Sequence, residues 1–306
     1  MRGFIMFLML LGGVGVLLYP DLLNWQESQQ HIGFIQQYNE NIALMAQAEL
    51  DYQFERARIF NLSITDISMN DPWGQGASDV SGTAEYYSML DFNHTNNMMA
   101  RIEIPAINVD LPVFHGSTSA VLDRGVGHMP HTSLPIGGYG NHSVLTAHTG
   151  LIRSRLFTDL VDLPVGQIFV ITVGDRRLAY QVYQRQIVWP HQIDVLQTEE
   201  DRDLVTLVTC YPYGINSHRL LVFGERIEYE EGMVELIEPI IDAWELRHLA
   251  VIALVALVIL ISIFRGIKAK KKKKRRQKNM GKILDRRFDR EYEELFGVNY
   301  DEYEDE

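Results

Sequence analysis

The segment LVTLVTCYPYGINSHRLLVFGERI, residues 204–227, contains two apolar runs separated by a short loop with Pro and Gly. Two such runs around a turn-forming loop predict a β-hairpin. In an antiparallel pair, Cys210 at the end of the first strand would face Arg219 at the start of the second. The segment therefore predicts a thiol and a guanidinium at one rim of a sheet, where a substrate can reach them.

Short apolar runs separated by turns recur through residues 100–230, which extends this prediction to a whole domain. Four such runs precede the hairpin, at residues 100–116, 142–148, 167–174 and 178–189. Their spacing, their β-branched residues and the Pro and Gly between them predict a mainly β domain, with an antiparallel sheet closed as a barrel or a sandwich.

Cys210 is the only cysteine among the 306 residues, which excludes an intramolecular disulfide framework. It could be an inert buried thiol, an intermolecular link or a nucleophile. Arg219 beside it would lower the pKa of the thiol from about 8.5 and could stabilise an oxyanion. For a lone cysteine the inert buried thiol is the commonest case. Both effects of Arg219 require it to lie close to the thiol, so all three possibilities stay open at this point.

A cysteine nucleophile needs an acid–base partner, and the chain has ten histidines. His142 and His148 lie at opposite ends of the predicted strand 142–148. His148 is the better candidate because turn residues follow it, which places it at a strand end, as Cys210 is placed.

No metal site is predicted from the remaining histidines. His115, His128 and His131 lie close together in Gly-rich turns, but their spacing is not that of a metal site. The chain also lacks a glycine-rich phosphate loop between a strand and a helix, so no cofactor is predicted.

The charge distribution excludes a nucleic-acid-binding domain. Of the 28 Lys and Arg and the 40 Asp and Glu in the chain, residues 265–306 hold 14 and 10, and residues 1–264 therefore hold 14 and 30. The acidic part contains no lysine, since the first one is Lys268. It has no basic surface for a nucleic acid.

Both ends of the chain carry uncharged apolar runs, at residues 3–19 and 249–264. Residues 1–20 are predicted to form an uncleaved signal anchor across the membrane, with a signal peptide as the alternative. Residues 246–264, reached through a juxtamembrane segment at 231–245, are predicted to form a second transmembrane helix, because a Lys/Arg run follows them at once and argues against a buried core helix. Both termini, including the charged tail 265–306 near anionic lipid, would then be cytoplasmic, and the domain between the helices extracellular.

Residues 21–99 are predicted to form a helical extension ahead of the barrel. Up to about residue 64, apolar residues recur at roughly helical spacing, which indicates one or two helices. The stretch SMNDPWGQGASDVSG, residues 68–82, is rich in turn formers and predicts a loop. Trp73 lies in this polar loop and needs an apolar surface to pack against.

The hairpin segment TLVTCYPYGINSHRLLVFG, residues 206–224, resembles the signature of sortases, the cysteine transpeptidases of Gram-positive cell surfaces. IEIPAINVDLPVFHG, GVGH, SLPIGG, HSVLTAHTG and LFTDL precede it in the order of a sortase barrel. The resemblance covers about residues 100–227. It implies a closed sortase-type β-barrel with short helices. In such a barrel Cys210 is the nucleophile, His148 is the general acid–base, and Arg219 positions the substrate and stabilises the oxyanion.

One position departs from the family pattern. Relatives commonly read Gly-His-Arg-Gly around the histidine, whereas this chain has Ala147, His148, Thr149 and Gly150. The histidine and the last glycine remain, so the departure concerns substrate contacts near the missing arginine.

The sequence NDPWG, residues 70–74, resembles the lid of class C sortases, which polymerise pilins. The resemblance implies that Asp71 pairs with the catalytic arginine, that Trp73 covers the cysteine, and that Pro72 lies between them. The loop of about residues 68–78 would then be an autoinhibitory lid.

The implied reaction joins secreted pilin subunits. The enzyme would cleave a Leu-Pro-any-Thr-Gly sorting signal between Thr and Gly through a thioacyl enzyme at Cys210, and would transfer the Thr carbonyl to a lysine amine of the next pilin. Three alternatives remain: a sortase that anchors surface proteins to the cell-wall precursor, a hydrolytic cysteine protease, and a non-catalytic membrane receptor or scaffold with an inert Cys210.

Overall fold

A computed structural model of the chain describes residues 2–64, 83–92, 97–240 and 243–296. The chain divides into two compact units, residues 1–240 and residues 241–306. The first unit contains every described strand.

The first unit begins with two helices, α1 (Arg2–Leu44) and α2 (Gln47–Leu62), which confirm the helices predicted for the extension. A buried hydroxyl ties α1 to the strands that follow. The Tyr38 hydroxyl donates to the Met99 carbonyl (3.1 Å) and accepts from the Gly174 amide (2.7 Å). The extension therefore packs on the barrel and shares its core.

Eight strands close into a barrel in the order β1-β2-β3-β4-β7-β8-β6-β5. The strands are β1 (Met98–Ile104), β2 (Val109–His115), β3 (Val126–His128), β4 (His142–Thr146), β5 (Ile168–Val173), β6 (Arg176–Val188), β7 (Leu204–Tyr211) and β8 (His218–Ile227). Short helices lie in the connections: α3 (Ala84–Tyr87), α4 (Ser119–Leu122), and 3-10 turns at Pro105–Ile107, Thr158–Asp162 and Pro190–Val195. The predicted closed barrel with short helices is confirmed.

Two neighbouring strand pairs are parallel, β2 with β3 and β4 with β7. The prediction of an antiparallel sheet was wrong at these two places, and strand β3 was missed. A three-residue run shows no alternation that a sequence pattern can detect. The direction of pairing depends on the path of the chain between the two strands, which the pattern within each strand does not encode.

The barrel interior is filled by large side chains. The buried rings of Phe169 and Tyr180 stack with centroids 5.5 Å apart. Gly224 on β8 lies against them, and a Cβ at this position would be 2.4 Å from Phe169 Cζ. The interior is closely packed and leaves no room for a substrate. The reactive side chains described below lie at a rim of the barrel.

The described part of the second unit is a single helix, α5 (Ala243–Phe296). The sequence predicted a transmembrane helix at each end of the chain. Among the helices of the described residues, none combines the length and the apolar composition needed to cross a bilayer. The predicted spans at residues 1–20 and 246–264 are therefore unsupported. In the structure, their described residues belong to the longer helices α1 and α5, which continue into polar and charged sequence.

Candidate active site

Cys210 and Arg219 lie directly opposite each other on β7 and β8. The two strands are antiparallel over eight residue pairs, which confirms the predicted hairpin. Both residues are buried, with exposed fractions of 7% for Cys210 and 3% for Arg219. A thiol and a guanidinium therefore share one rim of the barrel in a position largely shielded from water.

His148 reaches the same rim from the other neighbour of β7. Strand β4 runs parallel to β7 with Thr146 opposite Val208, and the Ala147 amide continues the ladder by donating to the Val208 carbonyl (3.3 Å). His148 comes two residues after Thr146, as Cys210 comes two residues after Val208. Because both chains advance in the same direction, His148 lies level with Cys210.

The backbone on both sides of this histidine is anchored. The Thr209 hydroxyl donates to the Ala147 carbonyl (2.8 Å), and the Phe157 amide donates to the His148 carbonyl (3.1 Å). The first bond holds the end of β4 against β7 after the regular strand has finished, and the second ties His148 to the residue before the 3-10 turn Thr158–Asp162. The imidazole is thus carried on a rigid backbone, as acid–base catalysis requires.

The His148 side chain is 21% exposed and lies near an ion pair formed by Asp123 and Arg153. Its Nε2 is 4.0 Å from Asp123 Oδ1, and the same carboxylate oxygen is 3.1 Å from Arg153 Nη2. Partial burial lowers the pKa of His148 below its ordinary value of 6.5, Asp123 opposes this shift, and Arg153 adds to it. The imidazole is therefore mainly neutral near pH 7, the form that can accept a proton from a thiol.

The Arg219 guanidinium is oriented by the loop between β7 and β8. Its Nη1 donates to the carbonyls of Asn216 (3.0 Å) and His218 (2.9 Å). Asn216 has a left-handed φ of 58°, a conformation that asparagine tolerates better than most residues. The guanidinium is thus oriented by its own loop, as stabilisation of a developing negative charge requires.

A thiol, a neutral base at the same level and an oriented cation are the groups that acyl transfer through a thioester needs. The sortase domain family matches residues 102–227 of this chain. Sortase C1 of Streptococcus agalactiae is 40% identical to it with a TM-score of 0.60, over 66% of this chain and 98% of the solved one. The chain belongs to the sortase family. Sortase C of Streptococcus pneumoniae, studied for catalysis and pilin substrate specificity, is 37% identical with a TM-score of 0.60, over 64% and 96% of the two chains. Both solved relatives are class C sortases, which supports the predicted subclass.

A curated relative is more distant. Sortase D of Bacillus subtilis is 26% identical over 129 residues, which are 41% of this chain and 62% of the length of that protein. The chain therefore spans less than two thirds of the length of this curated relative.

His142, at the start of β4, is buried among hydrogen-bonding partners in this sortase. His142 is 2% exposed, its Nδ1 donates to the Gln197 carbonyl (2.6 Å), and its Nε2 lies 2.8 Å from the Thr206 hydroxyl. Burial lowers the pKa of His142, so the ring is neutral. Its Nδ1 holds the connection between β6 and β7, and its Nε2 contacts β7 itself, at the end of β4 away from Cys210.

Of the three histidines clustered in sequence, His115 and His128 lie opposite each other on β2 and β3, and both rings contact Tyr86. His128 contacts the Ser133 carbonyl through Nε2 (2.9 Å) and the Tyr86 hydroxyl through Nδ1 (2.9 Å), and burial lowers its pKa to about 3. Both ring nitrogens of His115 contact backbone carbonyls. His131 is exposed. Within the described ranges, no group of His, Cys, Asp and Glu could hold a metal ion.

The predicted lid lies outside the described residues, including Asp71, Pro72 and Trp73. Its contacts with the barrel rim stay a prediction from the sequence.

Sequence reasoning missed two side chains at the rim. Asp123 ends α4, just ahead of β3, and it was missed because β3 gives no strand pattern. Trp189 follows β6 and is half-exposed, with its ring centroid 4.1 Å from that of His218. The position of Trp189 at the end of a predicted strand could have marked it.

Proposed function

We propose that this sortase is a class C transpeptidase that polymerises pilins. The proposal depends on the register of β4, β7 and β8, which brings His148, Cys210 and Arg219 to one level of one rim. The pilin as substrate is supported by the likeness to the solved sortase C structures, one of which was studied for its pilin specificity.

The first half of the reaction forms a thioester. His148 takes the thiol proton, and the Cys210 sulfur attacks the Thr carbonyl carbon of a Leu-Pro-any-Thr-Gly signal. Arg219 stabilises the oxyanion that forms. When the tetrahedral intermediate collapses, the bond between Thr and Gly breaks, and His148 returns the proton to the departing Gly amine.

The second half transfers the acyl group to a lysine of another pilin. The uncharged amine attacks the thioester carbonyl and passes a proton to His148. The isopeptide bond forms as the C–S bond breaks, and the departing Cys210 thiolate takes that proton from His148. Water would compete as the nucleophile. The low exposure of Cys210, 7%, supports an enzyme that limits this competition by excluding water from the thioester.

The loop of residues 68–78 acts as a lid in this proposal. Asp71 pairs with Arg219, and Trp73, placed by Pro72, covers Cys210. The resemblance of NDPWG to class C lids supports this role, because a carboxylate and an apolar ring are complementary to a guanidinium and a thiol.

We also propose that the enzyme is held in the cell membrane by residues 1–20 and 246–264, with both termini cytoplasmic and the barrel outside. The uncharged runs and the Lys/Arg segment after the second one support this topology. Protease added to intact cells should then remove the barrel and leave the tail at 265–306 protected. Degradation of the tail in intact cells would contradict the topology.

The reaction and the lid can be tested together by intact mass. Full-length protein in detergent, the double variant Asp71→Ala/Trp73→Ala and Cys210→Ala are each mixed with a Leu-Pro-any-Thr-Gly peptide. We expect an adduct equal to the peptide up to Thr, formed faster in the double variant and absent from Cys210→Ala. Thermal unfolding of each protein shows that the substitutions leave the barrel folded.

Other outcomes would favour the alternatives. No adduct with any folded protein would support a receptor or scaffold with an inert thiol. Release of hydrolysed peptide in the presence of excess lysine amine would support a protease. Preference for a cell-wall cross-bridge amine over a lysine peptide would support a sortase that anchors surface proteins.

A further inference from the structure

The active-site rim carries charge in a fixed order along four neighbouring strands. In the barrel order β3-β4-β7-β8, the rim holds Asp123, His148, Cys210 and Arg219. Strand β3 is antiparallel to β4 with Gly127 opposite Thr146, so the segment just before β3 and the segment just after β4 lie at the same end. The rim therefore carries a carboxylate, paired with Arg153, on the histidine side of the thiol and the Arg219 guanidinium on the other side.

This order divides the two substrates between the two sides of Cys210. The guanidinium of Arg219 suits the acyl oxyanion on its own side. The amine that leaves in the first half, and the amine that enters in the second, must therefore lie near His148, which exchanges protons with both. Asp123 is the carboxylate next to that position, with Oδ1 4.0 Å from His148 Nε2.

An acceptor lysine reaches the enzyme as a cation, because the ordinary pKa of its amine is about 10.4. It must be bound as an ammonium group and then lose a proton before it can attack the thioester. We propose that Asp123 binds the ammonium group of the acceptor lysine and places it beside His148. This inference rests on the proposed function, and it assigns the residue that selects the second substrate.

Asp123 is suited to bind a group that comes and goes. Its side chain is 48% exposed, and its backbone is fixed at the end of α4, where its amide donates to the Ser119 carbonyl (2.9 Å). A distance of 4.0 Å is too long for a hydrogen bond, so the carboxylate does not orient the imidazole directly. It leaves the imidazole neutral and able to accept the proton that the bound ammonium releases.

The carboxylate is occupied by Arg153, whose Nη2 lies 3.1 Å from Oδ1 and whose side chain is 49% exposed. Ion pairs between exposed side chains contribute little to stability, so an incoming ammonium can replace the guanidinium at low cost. An arginine side chain keeps its proton and cannot attack a thioester. Arg153 therefore holds the place of the acceptor without becoming a product.

The composition of the chain agrees with this arrangement. No lysine precedes Lys268, so the barrel and its extension carry no amine side chain that could compete for Asp123.

Competition between two acceptors provides the test. Full-length protein is first converted to the thioacyl enzyme with the sorting-signal peptide, and then receives a short peptide with one lysine together with hydroxylamine. Hydroxylamine is mostly uncharged near neutral pH, so it attacks without needing a site for a cation. The ratio of lysine product to hydroxamate, measured by mass, cancels any effect on the first half of the reaction.

In Asp123→Asn we expect this ratio to fall about tenfold, the loss typical of one charge-assisted hydrogen bond. Asp123→Glu should restore part of it, and Arg153→Gln should raise the ratio at low lysine-peptide concentration by removing the competing cation. The matched control is Asp110→Asn. Asp110 is 47% exposed and also pairs with an arginine, Arg101 at 2.6 Å, on a different part of the barrel, so the ratio should not change.

An unchanged ratio in Asp123→Asn would overturn the assignment, whether both products form normally or both fall equally. An equal fall would mean that Asp123 acts through His148 or through the fold. If the unmodified protein forms no thioacyl enzyme, the proposed function itself fails, a result that differs from a thioacyl enzyme with an altered or unaltered ratio.

Discussion

Two histidines at the two ends of β4 have different environments in this sortase. His142 begins β4 and is buried, with its nitrogens 2.6 Å from the Gln197 carbonyl and 2.8 Å from the Thr206 hydroxyl. His148 follows the end of β4 and is partly exposed, beside Asp123. Both rings have a lowered pKa, and burial is the first cause in both.

Burial alone therefore does not identify a catalytic base. Both nitrogens of His142 contact structural partners, and burial lowers the pKa of the ring and keeps it neutral near pH 7. His148 lies level with a thiol on the neighbouring strand and has a side chain that reaches solvent. The same residue type therefore stabilises the barrel at one end of β4 and is placed for chemistry at the other.

The largest effect should come from His148→Ala. Loss of the acid–base group is expected to lower the rate of thioacyl-enzyme formation by about 10²- to 10⁴-fold. The melting temperature should change little, because two hydrogen bonds that anchor this segment, from the Ala147 amide to the Val208 carbonyl and from the Phe157 amide to the His148 carbonyl, are made by the backbone. Single-turnover kinetics and thermal unfolding measure the two effects. A variant with nearly normal kinetics would end the contrast between the two histidines.

A smaller effect, of the opposite kind, is expected from His142→Leu. Two buried hydrogen bonds are lost and the Gln197 carbonyl is left without its donor, so the free energy of unfolding should fall by about 2–3 kcal/mol. Activity per folded molecule should stay close to that of the unmodified protein. Urea unfolding and active-site titration measure these quantities. A loss of activity without a loss of stability would place His142 in the catalytic machinery.

The smallest effect concerns pH. Because the pKa of His142 in the fold is below its ordinary 6.5, its contribution to stability is fully present above pH 6.5 and is lost as the pH falls towards the folded-state pKa. Each such histidine adds at most about 1.4 kcal/mol per pH unit. Urea unfolding of the unmodified protein between neutral pH and about pH 5 should show this decline, and His142→Leu should show a shallower one. Parallel slopes would contradict the assignment.

The sequence allowed the hairpin to be predicted because its two strands are local. Cys210 and Arg219 are joined by a short loop, and an antiparallel pairing follows from that loop with the correct register. His148 could be chosen over His142 only by its position at a strand end. The parallel pairing of β4 with β7 is what places His148 level with Cys210. It joins segments about 60 residues apart, and no local pattern encodes it.

The amino-acid sequence alone was enough to predict the order of the β runs, the thiol with its facing arginine and the likeness to sortases. It also shows that no lysine precedes Lys268. These are properties of short segments. The existence of β3 and its place beside β4 can be seen only in the folded chain. This placement puts Asp123 Oδ1 4.0 Å from His148 Nε2, where it pairs with Arg153. The physical reason is that closure of a barrel brings together strand ends that are distant in the chain, and the charges of a site depend on which ends meet.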